Sequence, residues 1–75
     1  MFKKNDVVVA KNEYLEENET VESTIGIVVD YDERNDYLQI GTIHQQDYAI
    51  PPIFNACGEF YRLATNTELK KWGIA

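Results

Sequence analysis

The stretch TIGIVVDYDERNDYLQIGTI, residues 24–43, decides the fold class, because two apolar runs flank a short charged segment. Apolar side chains recur at every second position over residues 25–31 and again from residue 38, which is the period of a half-buried strand. The DERND segment between them is rich in residues that tolerate left-handed backbone and hydrogen-bond their own chain. The stretch predicts a β-hairpin with strands at about 25–32 and 37–43, in which Gly26 and Gly41 permit a bulge or bend near the open end.

Three further strands and one helix are predicted around this hairpin. DVVVAK gives a strand at about 6–11, the prolines at 51 and 52 limit residues 47–50 to an edge strand, and FYRL gives a strand at about 59–63. Thr65 and Glu68 fit a capping box and Gly73 a C-terminal cap, so a helix is expected at about 66–72, with Leu69 and Trp72 docked on the sheet. Residues 12–24 are expected to form a long loop. The prediction is an all-β protein, a small five-stranded partly open barrel with a short C-terminal helix, in a single domain over residues 1–75.

Length and composition restrict the class of protein. A chain of 75 residues builds a thin core, burying about 60% of the surface that it exposes when unfolded. Cys57 is the single cysteine, so no disulfide framework is available, which favours a reducing compartment. No run approaches the roughly 20 apolar residues of a membrane span, and the N-terminus lacks the apolar core of a signal peptide. The expected location is the cytoplasm, with no membrane association.

The negative charge is concentrated in one third of the chain. Residues 12–36 contain nine acidic residues against one base, Arg34, whereas the rest of the chain has four acids and six bases, within a net charge of −6. Proteins that bind a phosphate backbone need clustered lysine and arginine. A nucleic-acid partner is therefore not expected at this segment.

Two parts of the sequence resemble known small barrels. NDVVVAKN with STIGIVVDYDERNDYLQI resembles the opening of a KOW-type, SH3-like barrel, in which a first strand is followed by a Gly-X-Val strand, here Gly26-Ile27-Val28. The ending FYRLATNTELKKWGI is similar to the tails of uncharacterised phage-encoded barrel proteins. The first resemblance implies an RNA- or ribosome-associated module with basic loops, but the corresponding loop here is acidic. A barrel of this kind does not by itself imply a function.

The residues that could carry chemistry do not form a recognisable catalytic or metal-binding motif. The acidic residues lack the spacing and the glycine of a calcium loop, and no His/Cys metal pattern or glycine-rich phosphate loop occurs. Cys57 is interpreted as a small core or loop residue, and nothing in the sequence places His44 beside it as a base. The chain is therefore expected to be neither an enzyme nor a binder of a metal or cofactor.

The aromatic residues suggest a contact surface as an alternative to a purely structural role. Barrels of the resembled kind use aromatic grooves to hold extended peptides, and Tyr14-Leu15 lies within an acidic loop as an apolar anchor with a charged rim. Tyr31 and Tyr37 flank the hairpin tip and are expected to pair across its strands. The predicted partner-binding residues are Tyr14, Leu15, Glu16, Glu17, Glu19, Glu22, Tyr31, Asp32, Glu33, Asp36 and Tyr37.

Two functional hypotheses follow. In the first, an acidic face formed by residues 13–22 and the hairpin tip at residues 30–36 docks on a basic surface of a larger protein. The phage-like tail extends this hypothesis to a phage-encoded inhibitor that mimics nucleic acid at a host or defence protein. In the second, a KOW-like barrel binds nucleic acid or the ribosome through a basic face formed by Lys3, Lys4, Lys11, Arg62, Lys70 and Lys71. A structural piece of a virion, or an oligomer formed through edge strands, remains a third alternative. The oligomeric state is not determined by the sequence.

Overall fold

The computed structural model describes residues 2–43 and 53–74 and places five strands in one antiparallel sheet. The strands are β1 (Val7–Ala10), β2 (Gly26–Asp32), β3 (Tyr37–Thr42), β4 (Ile53–Cys57) and β5 (Tyr61–Leu63), in the order β4-β3-β2-β1-β5. One helix, α1 (Asn66–Lys71), ends the described chain. The predicted all-β class with a short C-terminal helix is confirmed.

Short 3₁₀ turns lie in two of the connections between strands, β1 to β2 and β4 to β5. Two of them, Asn12–Tyr14 and Val21–Thr24, lie within the acidic connection between β1 and β2, which is residues 12–24. The second turn is tied to β1, because Thr24 Oγ1 accepts the Ala10 N–H at 2.9 Å. A third turn, Gly58–Phe60, separates β4 from β5, so the predicted strand at 59–63 begins two residues later than expected.

Strand β4 is an element that was not predicted from the sequence. The edge strand expected at 47–50 lies outside the described residues. The observed strand, Ile53–Cys57, instead follows Pro51 and Pro52 and pairs with β3 along its length. Proline cannot donate to a ladder, but it does not prevent a strand from starting immediately after it.

The main core cluster is formed by β1, β2 and β3, whereas Val9 and Ile25 are buried outside it. Val8, Val28, Leu38 and Ile40 have no exposed side-chain surface, and partly buried hydrophobic residues pack against them. In β3 the predicted alternation is therefore correct, since Leu38 and Ile40 are buried and Tyr37 is exposed. In β2 it is not: Val28 is buried, whereas Ile27 and Val29 are exposed. Up to Val28 the strand alternates regularly with Gly26 and Val28 buried, so its buried set is the opposite of the predicted one. A β-bulge between Val28 and Asp30, at neither of the glycines at 26 and 41, then returns Tyr31 to the packed side.

Helix α1 begins at the predicted residue, ends at Lys71, one residue before the predicted end, and has the predicted caps. The Thr65 hydroxyl accepts the Glu68 N–H and the Glu68 carboxylate accepts the Thr65 N–H, which together complete the capping box. Gly73 has a φ of +72°, the left-handed conformation that ends a helix and that glycine adopts without steric cost. Leu69 and Trp72 are both half-buried, as expected of side chains that attach a short helix to a sheet.

Candidate functional site

The hairpin tip is held by the side chain of Asp32. Its carboxylate accepts the Arg34 N–H at 3.0 Å and the Asn35 Nδ2–H at 2.7 Å. These hydrogen bonds, with that of the Asn35 side chain the largest, lower the pKa of Asp32. Asp32 therefore builds the turn, as the DERND pattern predicts.

Asp36 joins the hairpin tip to the third 3₁₀ turn. Its carboxylate accepts the Tyr31 hydroxyl at 2.8 Å and its carbonyl accepts the Gly58 N–H at 2.7 Å. A Cβ at residue 58 would overlap the Asp36 carboxyl group, so only glycine permits this close approach. The hydrogen bond to Asp36 raises the pKa of Tyr31.

The two tyrosines that flank the tip do not pair with each other as expected. The bulge in β2 places Tyr31 opposite Leu38, and its ring contacts Phe2 edge-on, with the centroids 5.5 Å apart. Tyr37 lies opposite Asp32 on one side and Cys57 on the other. Tyr31 thus belongs to the packed face, whereas Tyr37 is half exposed.

The acidic connection folds back onto the third 3₁₀ turn. The Tyr14 and Phe60 rings pack with their centroids 4.7 Å apart, and the Lys11 N–H donates to the Phe60 carbonyl at 2.9 Å. Beyond this contact the chain turns at residues 16–19: the Glu16 N–H donates to Glu19 Oε1 at 3.1 Å and the Glu19 N–H to the Glu16 carbonyl at 3.0 Å. The turn therefore holds the Glu19 carboxylate against the main chain of Glu16.

Between this connection, β4 and the third 3₁₀ turn lies a groove of about 520 Å³, named here the Tyr14 groove. Its described lining contains four aromatic side chains, two carboxylates and no lysine or arginine. Burial raises the pKa of Tyr61 there, and the charge of Glu19 raises it further. The lining residues are Ala10, Tyr14, Glu16, Glu19, Thr24, Tyr37, Asn55, Ala56, Cys57, Phe60 and Tyr61.

A smaller groove of about 200 Å³, the Asp32 groove, follows the β2–β3 hairpin. Asp30 and Asp32 line it, and it shares Tyr37 and Asn55 with the Tyr14 groove. The acidic connection and the hairpin tip, far apart in sequence, therefore contribute to two adjoining grooves on one surface.

The structure brings some of the predicted partner-binding residues together and places the others elsewhere. Those that line a groove are Tyr14, Glu16, Glu19, Tyr31, Asp32 and Tyr37. Two of the others, Glu17 and Glu33, are exposed and line neither groove. Leu15 was expected to be exposed but is half-buried. Asp36 accepts a hydrogen bond from the third 3₁₀ turn. Glu22 is 3.0 Å from Lys71 Nζ, and its pKa is lowered by its backbone N–H and by Lys71.

The side of the Tyr14 groove that β4 and the third 3₁₀ turn form was not predicted from the sequence. Asn55, Ala56 and Phe60 were not predicted as site residues. The available signal was the apolar run IFNAC after the two prolines, followed by Gly58 and an aromatic pair. Cys57 also lines this groove, whereas His44, considered as its base, lies outside the described residues.

The basic residues of the alternative hypothesis are partly neutralised. Arg62 forms a bidentate pair with Glu68, with N–O distances of 2.7 and 3.0 Å, and the hydrogen bond to Glu68 raises its pKa. Lys71 is the partner of Glu22. Two of the six cations proposed for a nucleic-acid face are therefore already bound to carboxylates.

The described residues contain no cluster of His, Cys, Asp or Glu that could hold a metal ion. Nor does any helix among them have the length and apolar character needed to cross a membrane. The fold and grooves define the class of this chain as a five-stranded antiparallel β domain with an acidic, aromatic surface. Comparison with protein-family models, curated proteins and solved structures finds no match to the chain.

Proposed function

We propose that this chain is a non-enzymatic protein-interaction module that docks its acidic face on a basic surface of a larger partner. The observation that carries the proposal is the adjoining pair of grooves that share Tyr37 and Asn55. Carboxylates line both grooves, and no lysine or arginine is among their described lining residues.

The composition of this surface matches that of protein contact sites. Tyrosine is enriched among residues that contribute most to binding, and charged residues commonly surround them. Tyr14 and Tyr37 are 45% and 52% exposed, so both have surface to bury against a partner. Opposite charge on the partner would speed encounter and make association depend on salt.

The resemblance to SH3-like barrels is part of the proposal. What supports it is the pairing of β5 with β1 after a meander of β2, β3 and β4, with a 3₁₀ turn between β4 and β5. The similarity of the C-terminal residues to phage-encoded barrels makes a host or defence protein in the cytoplasm the partner to test first. There the carboxylates would occupy a site that normally binds phosphates.

The proposal is tested by affinity capture from a lysate of the source organism, or of its host if the chain is viral. Glu16→Lys is the test variant, because Glu16 lines the Tyr14 groove. Glu22→Lys is the matched control, because it makes the same charge change in the same connection but Glu22 is absent from the groove lining. It replaces an exposed ion pair with Lys71 by two lysines, whose charged ends can separate in solvent.

The expected result is one protein that survives nuclease treatment, is captured by the wild type and by Glu22→Lys, and is lost with Glu16→Lys. Equal capture by the two variants would contradict docking through this face. Proteins whose capture is abolished by nuclease but is unchanged with Glu16→Lys would instead indicate that the chain binds nucleic acid through its basic residues.

A further inference from the structure

The Tyr14 groove is the larger of the two described grooves, and four aromatic residues and two glutamates line it. We propose that it binds a single cationic side chain, lysine or arginine, presented by an extended segment of the partner. The inference rests on the proposed function, since it names the group on the basic surface that enters the acidic face.

The aromatic residues provide the walls. Tyr14 packs against Phe60, Tyr37 borders the opposite side from β3, and Tyr61 lies half-buried among the lining residues. Phe60 retains 38% exposure although it contacts Tyr14. A cation within about 6 Å of a tyrosine or phenylalanine ring centroid is attracted by the negative face of the ring.

The carboxylates provide the charge. Glu19 Oε1 accepts one hydrogen bond, from the Glu16 N–H, and no described residue donates to Glu19 Oε2 or to the Glu16 carboxylate. Neither glutamate forms an ion pair with a described residue, unlike Glu22 and Glu68. The hydrogen bond from the Glu16 N–H holds the Glu19 side chain in place, so this carboxylate needs little further ordering on binding.

These features select one chemical class of occupant. A phosphate or carboxylate would be repelled by two negative charges. An aliphatic side chain would bury the carboxylates without pairing them, which is unfavourable. Lysine and arginine can place their aliphatic stems on the rings and their charged ends at the carboxylates.

The test is an NMR titration of the whole chain with acetyl-Gly-Ala-Arg-Ala-Gly-amide, its lysine counterpart, and the citrulline counterpart, which has nearly the shape of arginine but no charge. Saturable shifts are expected at the amides of Ala10, Thr24 and Ala56 with both cationic peptides and not with citrulline. Tyr14→Leu retains an apolar side chain but removes the ring, and the affinity should fall at least about threefold.

Charge variants separate the groove from the general acidity of the chain. Glu19→Gln is expected to weaken binding while preserving the turn, because the amide oxygen of glutamine can still accept the Glu16 N–H. Glu33→Gln makes the same charge change on the exposed hairpin tip, outside both linings, and should leave the affinity unchanged.

Equal shifts with the citrulline peptide, or an affinity that is unaltered in Tyr14→Leu, would overturn the inference. If the partner is still captured and still lost with Glu16→Lys, the interaction function stands and only the cation-binding groove fails. If capture is equal for Glu16→Lys and Glu22→Lys, the interaction function fails, whatever the peptide titration shows.

Discussion

Glu68 connects the C-terminal helix to the sheet through its carboxylate. Its carboxylate accepts two hydrogen bonds from Arg62 on β5 and one from the Thr65 N–H, while its own N–H donates to Thr65 Oγ1. These contacts lower the pKa of Glu68 to about 2, with the hydrogen bond to Arg62 as the largest cause. The residue is thus both a helix cap and the anchor of that helix on β5.

We predict that Glu68→Gln lowers the free energy of unfolding by about 1–2 kcal/mol at pH 7, from a weakened cap and a lost ion pair. Because the folded pKa of Glu68 lies below its ordinary value of 4.5, the stabilisation is complete above pH 4.5. It should be lost as the pH falls towards 2. Urea unfolding of both proteins across this range measures the difference, and Lys70→Gln serves as a control in the same helix. A difference that does not change with pH would show that the carboxylate charge is not the cause.

The sequence allowed half of this arrangement to be predicted. The spacing of Thr65, Glu68 and Gly73 indicates a capped helix, because these interactions join residues at fixed short separations. The pairing of Glu68 with Arg62 was not predicted, because it depends on how the helix turns back towards β5. In the same way Asp32 was recognisable as a turn residue, but Asp36 was not recognisable as the partner of Gly58.

At the scale of elements, the bulge in β2 explains why one period-two pattern does not describe the whole strand. Val28 pairs with Ile40 and Tyr31 with Leu38, so three steps along β2 correspond to two along β3. The extra residue lets Val28 and Tyr31 face the same side although an uninterrupted strand would place them on opposite sides. Period-two counting cannot detect such an insertion, because Ile25, Val28, Val29 and Tyr31 are all compatible with a strand interior.

A pair of deletions tests this interpretation. Deleting Val29 removes the extra residue and leaves Val28 and Tyr31 two positions apart, so the core face and the tip should keep their register. Val29 is 41% exposed, so little buried surface is lost and the domain should remain folded. Deleting Gln39 instead makes Leu38 and Ile40 adjacent, which places one of these fully buried side chains in solvent and costs about 2–5 kcal/mol.

Far-UV circular dichroism and urea unfolding of the two deletion variants provide the comparison. The expected order of stability is wild type, then the Val29 deletion, then the Gln39 deletion, which should be largely unfolded, since a chain of this size has little stability to lose. If the Val29 deletion is as destabilised as the Gln39 deletion, the bulge is needed for the fold and is not merely accommodated by it.

At the scale of the whole molecule, the fold collects acidic residues that are distant in sequence. The connection at residues 12–24 and the hairpin tip meet at the two grooves. Tyr14 packs directly against Phe60 of the third 3₁₀ turn. The sequence showed that the acids cluster and that Tyr14 is among them, but the opposite wall depends on β4. No strand was predicted at residues 53–57, so the groove could not be predicted.

The concentration of charge should also affect the stability of the free chain. With a net charge of −6 and nine acids within residues 12–36, repulsion among carboxylates opposes the compact state at low salt. Raising NaCl from about 0.01 M to about 0.15 M shortens the screening length from about 30 Å to about 8 Å. We predict that the free energy of unfolding rises by about 1 kcal/mol or less, whereas the same salt should weaken binding to a basic partner.

Two charge variants of opposite sign determine whether repulsion is the cause. Glu16→Gln with Glu17→Gln changes the net charge from −6 to −4 and should reduce the stabilisation by NaCl. Lys3→Gln with Lys4→Gln changes it from −6 to −8 and should enlarge that stabilisation. Urea midpoints at the two salt concentrations for the three proteins measure the effect. The same response in all three would attribute it to ion binding or hydration, because screening of carboxylate repulsion must follow the number of carboxylates and the cations that oppose them.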